Sequence, residues 1–208
     1  MSPLAEMKVR LQRARVSAAG QPLREFVPDG CLQQILTAEA VLSVLADSSF
    51  HIPSHKVENT AQIVASEGRI VFALLLDLSL ERELGRFIEY DCLDHALPLH
   101  KSQLEDIIPQ AAGNFAKCQW DYRAYRFRKG QYHRKVRDEE ILPYMEQERI
   151  GGGGFSSIYR VLIHPDHQNI IPDSPSSVRF MRSRLFTGAM LTSYAGRLPG
   201  TQRDSRLR

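Results

Sequence analysis

The chain has 208 residues, 43% of them hydrophobic and 25% charged, and its formal net charge is +3. This length predicts one domain with appendages, and so small a charge gives no reason to expect nucleic acid or a membrane as the main partner. The cysteines Cys31, Cys92 and Cys118 are scattered, which argues against a disulfide framework or a zinc site. The longest apolar run, Ile70 to Leu76, is too short to span a bilayer, so we expect a cytoplasmic location by elimination.

The first region, residues 1–25, is basic and ends in residues that interrupt regular structure. Gly20 and Pro22 stand near its end, and its positive charge comes from Lys8, Arg10, Arg13 and Arg15. We predict a frayed helix or a disordered arm for these residues.

The second region, residues 26–115, has the apolar spacing of helices. Thr37 is a plausible N-cap for a helix over Ala38 to Ala46. Gly68 separates the next helical segment from Arg69 to Tyr90, where apolar residues form a broad stripe. This stripe predicts either one central core helix or a pair of helices joined near Leu78-Ser79. A helical region of this kind could bind a protein partner, which is one of two functions that we keep open.

The third region, residues 116–171, begins with aromatic residues that alternate with cations. Such a pattern can stack bases and bind phosphates, but it is more typical of a half-buried strand with its cationic face in water. The acidic run Asp138-Glu139-Glu140 neutralises the charge locally, so nucleic acid is an unlikely partner. The alternating residues are Trp120, Tyr122, Arg123, Tyr125, Arg126, Phe127, Arg128, Lys129, Tyr132, Arg134 and Lys135.

A glycine run within this region is the clearest indication of a chemistry. Gly151, Gly152, Gly153 and Gly154 follow Ile150 and precede Phe155-Ser156-Ser157-Ile158-Tyr159. Glycine can take a positive φ and lets the backbone approach a ligand closely, so we expect positive φ at Gly151 and Gly153. No lysine follows the run, which excludes a P-loop. The β-branched and aromatic residues after it predict a strand rather than the helix of a dinucleotide fold.

These residues therefore predict a strand, a glycine-rich turn and a returning strand, although a flexible linker is an alternative. Phe155 could cover the turn as a lid, and Ile158 could cover one face of a purine. The pattern Ile150-Gly151-x-Gly153-x-Phe155-Ser156-x-Ile158-Tyr159 resembles the first two strands of a protein-kinase domain, in which Ser156 replaces the third glycine and Ile158 the usual valine.

The flanks resemble those of a group of fungal protein kinases in which a helical region precedes the kinase domain. The matching segments extend the resemblance from about Phe26 to Ser177, and they are Phe26 to Leu32, Cys118 to Trp120, Glu140 to Glu146 and Val161 to His167. The resemblance implies an α+β fold, with a mostly helical N-terminal region followed by a partial antiparallel kinase N-lobe hairpin. It also implies ATP as cofactor, with Mg in the family, bound by Ile150 to Ser156 and Ile158.

The parts of a kinase that transfer phosphate are not in this sequence. A kinase needs a lysine on its third strand, a His-Arg-Asp loop and an Asp-Phe-Gly motif. The last lysine is Lys135, before the glycines, and Arg179 stands where a third strand would begin. Arginine is a planar fork and substitutes poorly for a compact ammonium. We therefore expect a truncated, serine/threonine-kinase-like chain with an incomplete ATP-binding loop and no activity of its own.

Residues 172–208 differ in composition from the rest of the chain. They are rich in arginine, serine, glycine and proline and contain no lysine, which favours a disordered tail.

Another motif, His164-Pro165-Asp166-His167, allows two further interpretations, the tripeptide of a J-domain co-chaperone and a metal site. A solvated turn after a strand is the preferred one, because no fourth ligand is evident.

Overall fold

The computed structural model describes residues 2–46, 50–128, 134–153, 156–169, 178–184 and 190–194. It confirms the α+β class, with helices in the N-terminal region and antiparallel sheets beside and after them. The helices are α1 (Pro3–Arg13), α2 (Asp29–Ile35), α3 (Ala38–Leu45), α4 (Val57–Glu67), α5 (Arg69–Asp77), α6 (Leu84–Glu89), α7 (Lys101–Glu105) and α8 (Ala112–Cys118). The strands are β1 (Val16–Ser17), β2 (Glu25–Phe26), β3 (Arg134–Lys135), β4 (Tyr144–Gly153), β5 (Ser156–Ile163), β6 (Val178–Arg184) and β7 (Met190–Tyr194).

The basic first region is an ordered part of the core, rather than the frayed helix or disordered arm that its composition predicts. Ser2 caps α1 by accepting a hydrogen bond from the Ala5 N–H at 3.2 Å. Met7 and Leu11, four residues apart on one face, are buried in the main core. Arg15 follows the helix and pairs with Asp77 at 2.6 Å, so this cation of the region is used inside the protein.

The helical core surrounds α5, in which every residue from Val71 to Leu76 is buried. Thr37 caps α3 as predicted, by accepting from the Ala40 N–H at 3.3 Å. Gly68 ends α4 and precedes α5, also as predicted. The apolar stripe forms a pair of helices rather than one, because the chain turns through Ser79 at a φ of 55° before α6 begins.

The larger sheet has five strands in the order β3-β7-β6-β5-β4, and all neighbours are antiparallel. Residues 172–208, for which composition predicts disorder, supply β6 and β7. Their β-branched, aromatic and long apolar side chains favour strands once a partner strand is present, and β5 is that partner. The remaining residues of this region lie outside the described part of the chain.

The alternating aromatic and cationic segment is irregular in structure over 122–128, not the predicted strand. Its backbone pairs with loops instead, since the Tyr125 N–H donates to the Ile141 carbonyl and the Phe127 N–H to the His167 carbonyl, both at 2.8 Å. The buried rings of Tyr125 and Phe127 pack edge to face, 4.7 Å apart, against one face of the sheet. Burial of these rings therefore decides the path of the segment.

Contacts from the first region fix the base of the β4–β5 hairpin. The Ala19 N–H donates to the Tyr144 carbonyl at 2.7 Å, at the start of β4. Gly20 has a φ of 76°, which favours glycine, and a Cβ there would also meet the side-chain amide of Gln147 on β4. Among the described residues, no helix is both long and apolar enough to cross a membrane.

Candidate functional site

The glycine run lies in an antiparallel hairpin, as its sequence predicts. Strands β4 and β5 pair from Tyr144 with Ile163 to Gly153 with Ser156. The hairpin is a local structure that the β-branched and aromatic residues after the glycines favour. This geometry excludes the alternative of a flexible linker for the residues that the structure describes.

The glycines lie inside β4 rather than in a loop beyond it. Gly151 pairs with Ile158 and Gly152 with Ser157, and Gly151 does not take the positive φ that the sequence predicts. Gly152 has a positive φ, 158°, close to the extended range. Pairing with β5 keeps these residues extended. The predicted site residues Gly154 and Phe155 lie outside the described residues, so the structure gives no account of a Phe155 lid.

A bulge interrupts the pairing between Arg149 and Gly151, directly at the start of the glycine run. The extra residue is Ile150, which is 39% exposed although it is large and apolar. Bulges bend a strand and re-aim side chains, and they are frequent next to functional sites. Ile158 is half-buried on β5, opposite Gly151. Two apolar side chains therefore flank the first glycine and are both accessible.

Gly151 is not required by the packing of the described residues. No heavy atom of theirs lies within 4 Å of the position that a Cβ at Gly151 would occupy. Gly20, in contrast, is favoured by its positive φ of 76°, which other residues rarely adopt. The open space at Gly151 leaves room for a ligand at the backbone, which is what a phosphate-binding glycine turn needs.

Strand β4 is the edge of the sheet, so alternate backbone amides on it face away from β5. The first region covers the base of this edge at Tyr144, and the glycine end is exposed. Glu148 and Arg160 form a cross-strand hydrogen bond at 3.1 Å beside the glycines, and Arg149 is exposed. The glycine end therefore offers main-chain N–H donors, and the opposite charges of Glu148 and Arg160 beside it compensate each other.

A third strand next to the hairpin begins at Val178, where the resemblance implies one although composition predicts a disordered tail. Strand β6 pairs with β5, and Arg179 is opposite Val161 in this register. Arg179 therefore lies on the strand next to the hairpin, and the sequence after the glycines contains no lysine that could take this place. The hairpin and β6 form a three-stranded antiparallel meander.

The motif after β5 docks onto the helical region instead of forming the predicted solvated turn. Pro165–His167 is a short 3-10 turn, and the Gly30 N–H at the start of α2 donates to Oδ2 of Asp166 at 3.0 Å. His167 is fully buried, and its ring contacts Phe26 edge to face at 5.3 Å. Burial against this apolar ring outweighs the solvation of the imidazole. The J-domain interpretation fails, because the tripeptide follows a strand and does not join two helices.

The metal interpretation also finds no support in the described residues, where no group of three or more histidine, cysteine or acidic side chains could hold a metal. His167 has Nε2 4.0 Å from Oδ1 of Asp29. Burial lowers the pKa of His167 in spite of that carboxylate, and burial likewise lowers the pKa of His164. Both imidazoles are therefore neutral near pH 7.

Sequence reasoning missed the residues that connect the two parts of the chain. Asp29 forms an ion pair with Arg126, nearly a hundred residues away, and Asp166 caps the start of α2. The available signal is the segment Pro28-Asp29-Gly30, since proline and aspartate are favoured at helix starts. Nothing in the sequence indicates which distant residues would meet this helix.

Comparison with models of protein families, with curated proteins and with solved structures finds no match for this chain.

Proposed function

We propose that the β4–β5 hairpin is a nucleotide-binding, glycine-rich element of the protein-kinase type, and that ATP is its ligand. The observation that carries this proposal is the open backbone at Gly151, with the accessible apolar side chains of Ile150 and Ile158 beside it. A purine can contact those side chains, while the phosphates approach the amides of the glycine run. In this proposal the site comprises Ile150 to Ser156 and Ile158.

The element is incomplete for catalysis, and the chain alone transfers no phosphate. Phosphoryl transfer depends on positioning and on charge stabilisation by a lysine, an aspartate and metal ions. The sequence after the glycines contains no lysine and no Asp-Phe-Gly, and Arg179 is a poor substitute for the lysine. Mg would accompany ATP as it does in kinases, but the described residues supply no cluster to hold it. We therefore expect no labelled product when the chain is incubated with labelled ATP and a general protein substrate.

Binding is expected to be weak and local, which fixes the choice of measurement. A ligand present at its Kd stabilises a protein by only about 0.4 kcal/mol, so a thermal shift is small. Amide chemical shifts report weak contacts directly. With millimolar Mg-ATP, we expect the resonances of Gly151, Gly152 and Ser157 to move progressively, and those of the helical core to stay in place.

A matched pair of variants separates ligand contact from folding. Gly151→Ala and Gly113→Ala each add one methyl group in a space with no heavy atom within 4 Å among the described residues. Both chains are expected to fold, but only the methyl group at residue 151 blocks the backbone from the phosphates. The Mg-ATP response should vanish in Gly151→Ala and persist in Gly113→Ala. A wild-type chain without any response in these amides would contradict the proposal.

The alternative function, a non-catalytic module that binds a protein partner through the helical region, stays a prediction. A wild-type chain with no ATP response would favour it.

A further inference from the structure

A cavity of about 510 Å³ lies between the helical region and the irregular segments 122–128 and 137–140. Its wall includes Asp29 at the start of α2, Ile70 at the start of α5, and Trp120 in the turn after α8. Small-molecule sites generally have volumes of roughly 300–1,000 Å³ and occur where structural units meet. This cavity therefore has the size and the location of a ligand site, and it does not include the glycine hairpin.

The charged residues of the wall are predominantly cationic. Four arginines and two carboxylates line the cavity. Asp29, one of the carboxylates, forms an ion pair with Arg126, one of the arginines. The other carboxylate, Glu140, accepts a hydrogen bond from the Arg137 backbone N–H at 2.9 Å and so holds the loop in place. The arginines are Arg123, Arg126, Arg128 and Arg137.

Among the arginines that line the cavity, Arg128 and Arg137 are the ones whose guanidiniums the described part of the chain leaves unpaired. Both are exposed, and neither guanidinium has a hydrogen-bonded or ionic partner within the described part of the chain. Exposed arginines are common, but these two face one cavity whose wall also holds the paired Arg126. An excess of positive charge in a concave site concentrates anions there.

The aromatic residues of the same segment contribute to the wall but are largely buried. Trp120 and Tyr125 are 7% and 6% exposed, and Tyr122 is fully buried. Their rings therefore present too little surface to stack successive bases, so the alternation in the sequence does not form a nucleic-acid track.

We propose that this cavity binds a small phosphate-bearing molecule. Phosphate oxygens would accept hydrogen bonds from the guanidiniums of Arg128 and Arg137, with Arg126 contributing positive charge from the wall. The guanidinium fork matches two phosphate oxygens, and the bonds are charge-assisted at both ends. The site is separate from the proposed nucleotide hairpin and does not depend on it.

The test uses Trp120, which is the only tryptophan in the chain and lies in the cavity wall. Inorganic pyrophosphate is the probe, titrated into the full chain at constant ionic strength maintained with sodium chloride. We expect a saturable change in tryptophan emission and a matching isotherm by calorimetry. Sodium chloride alone should give no saturable change. Absence of a saturable response in both measurements would overturn the proposal.

Three variants locate the site. Arg128→Ala and Arg137→Ala should each weaken pyrophosphate binding about tenfold, since each removes a charge-assisted contact. Arg10→Ala removes an equal charge from the exposed face of α1, away from the cavity, and should bind as the wild type does. Equal weakening in all three variants would show a general charge effect and overturn the assignment. Gly151→Ala should bind pyrophosphate normally, which distinguishes failure of this site from failure of the hairpin.

Discussion

Arg15 should be among the side chains on which the stability of the whole helical region depends. Its guanidinium lies 2.6 Å from Oδ2 of Asp77 and 3.3 Å from Oδ2 of Asp121, and it stacks 5.5 Å from the ring centre of Tyr122. These contacts attach α1 to α5 and to the turn after α8. Replacing Arg15 with methionine keeps much of the apolar stem and removes the charge.

The magnitude follows from how far the partners are buried. Removing one member of a buried ion pair costs about 3–5 kcal/mol, because the remaining charge has lost its partner. The side chain of Arg15 is 13% exposed, but that of Asp121 is 30% exposed and can regain water. Asp77 keeps a hydrogen bond from Nε2 of Gln12 at 2.6 Å. We therefore expect Arg15→Met to lower the free energy of unfolding by about 2–3 kcal/mol, a fall in Tm of roughly 5–10 °C.

The assay is urea unfolding followed by circular dichroism, with Arg13→Met as the matched control. Arg13 is exposed in the last turn of α1 and has no ion-pair partner within the described residues. A double-mutant cycle with Asp77→Asn should give a coupling energy of about 1–2 kcal/mol. If Arg15→Met and Arg13→Met agree to within about 0.5 kcal/mol, the reasoning is refuted, and residues 1–25 would be the loose arm that composition predicts.

Two further predictions concern protonation and helix capping. Since burial lowers the pKa of His164 and His167 in the folded chain, the unfolded chain binds more protons below its usual histidine pKa of about 6.5. The free energy of unfolding should therefore be highest above that pH and fall as the pH drops from about 6.5 to 5. Urea midpoints measured across this range test the expectation. An equally steep fall in His167→Gln would show that other groups cause the pH dependence. Asp94 accepts two backbone hydrogen bonds at 3.0 Å from the start of α5, so Asp94→Ala should cost about 1–2 kcal/mol by the same unfolding assay. The exposed Asp106→Ala is its control, and an equal effect from both would contradict the capping role.

Local sequence rules were sufficient where a feature depends on neighbours along the chain. The cap at Thr37, the break at Gly68 and the glycine hairpin all follow from a few adjacent residues, and the structure has each of them. Such features need only backbone preference and side-chain spacing.

Composition predicted the structure poorly where polar or charged residues are ordered by contacts with the core. The basic first region is ordered because Met7 and Leu11 reach the core and Arg15 finds two carboxylates. The irregular path of 122–128 follows from burying Tyr125 and Phe127 against a sheet that forms from later residues. In both cases the residues that provide the contacts lie far away in the sequence, so the composition of the segment itself does not indicate them.

The sequence by itself determined the hairpin, its glycines and the missing lysine, because these depend on local backbone chemistry and on residue identity. Only the tertiary structure decided that Gly151 faces open space and that His167 is buried. It also decided that four arginines between residues 123 and 137 line one cavity. The physical reason is that exposure and convergence depend on contacts between residues far apart in the chain. Asp29 and Arg126 form such a contact, and it closes the wall of that cavity.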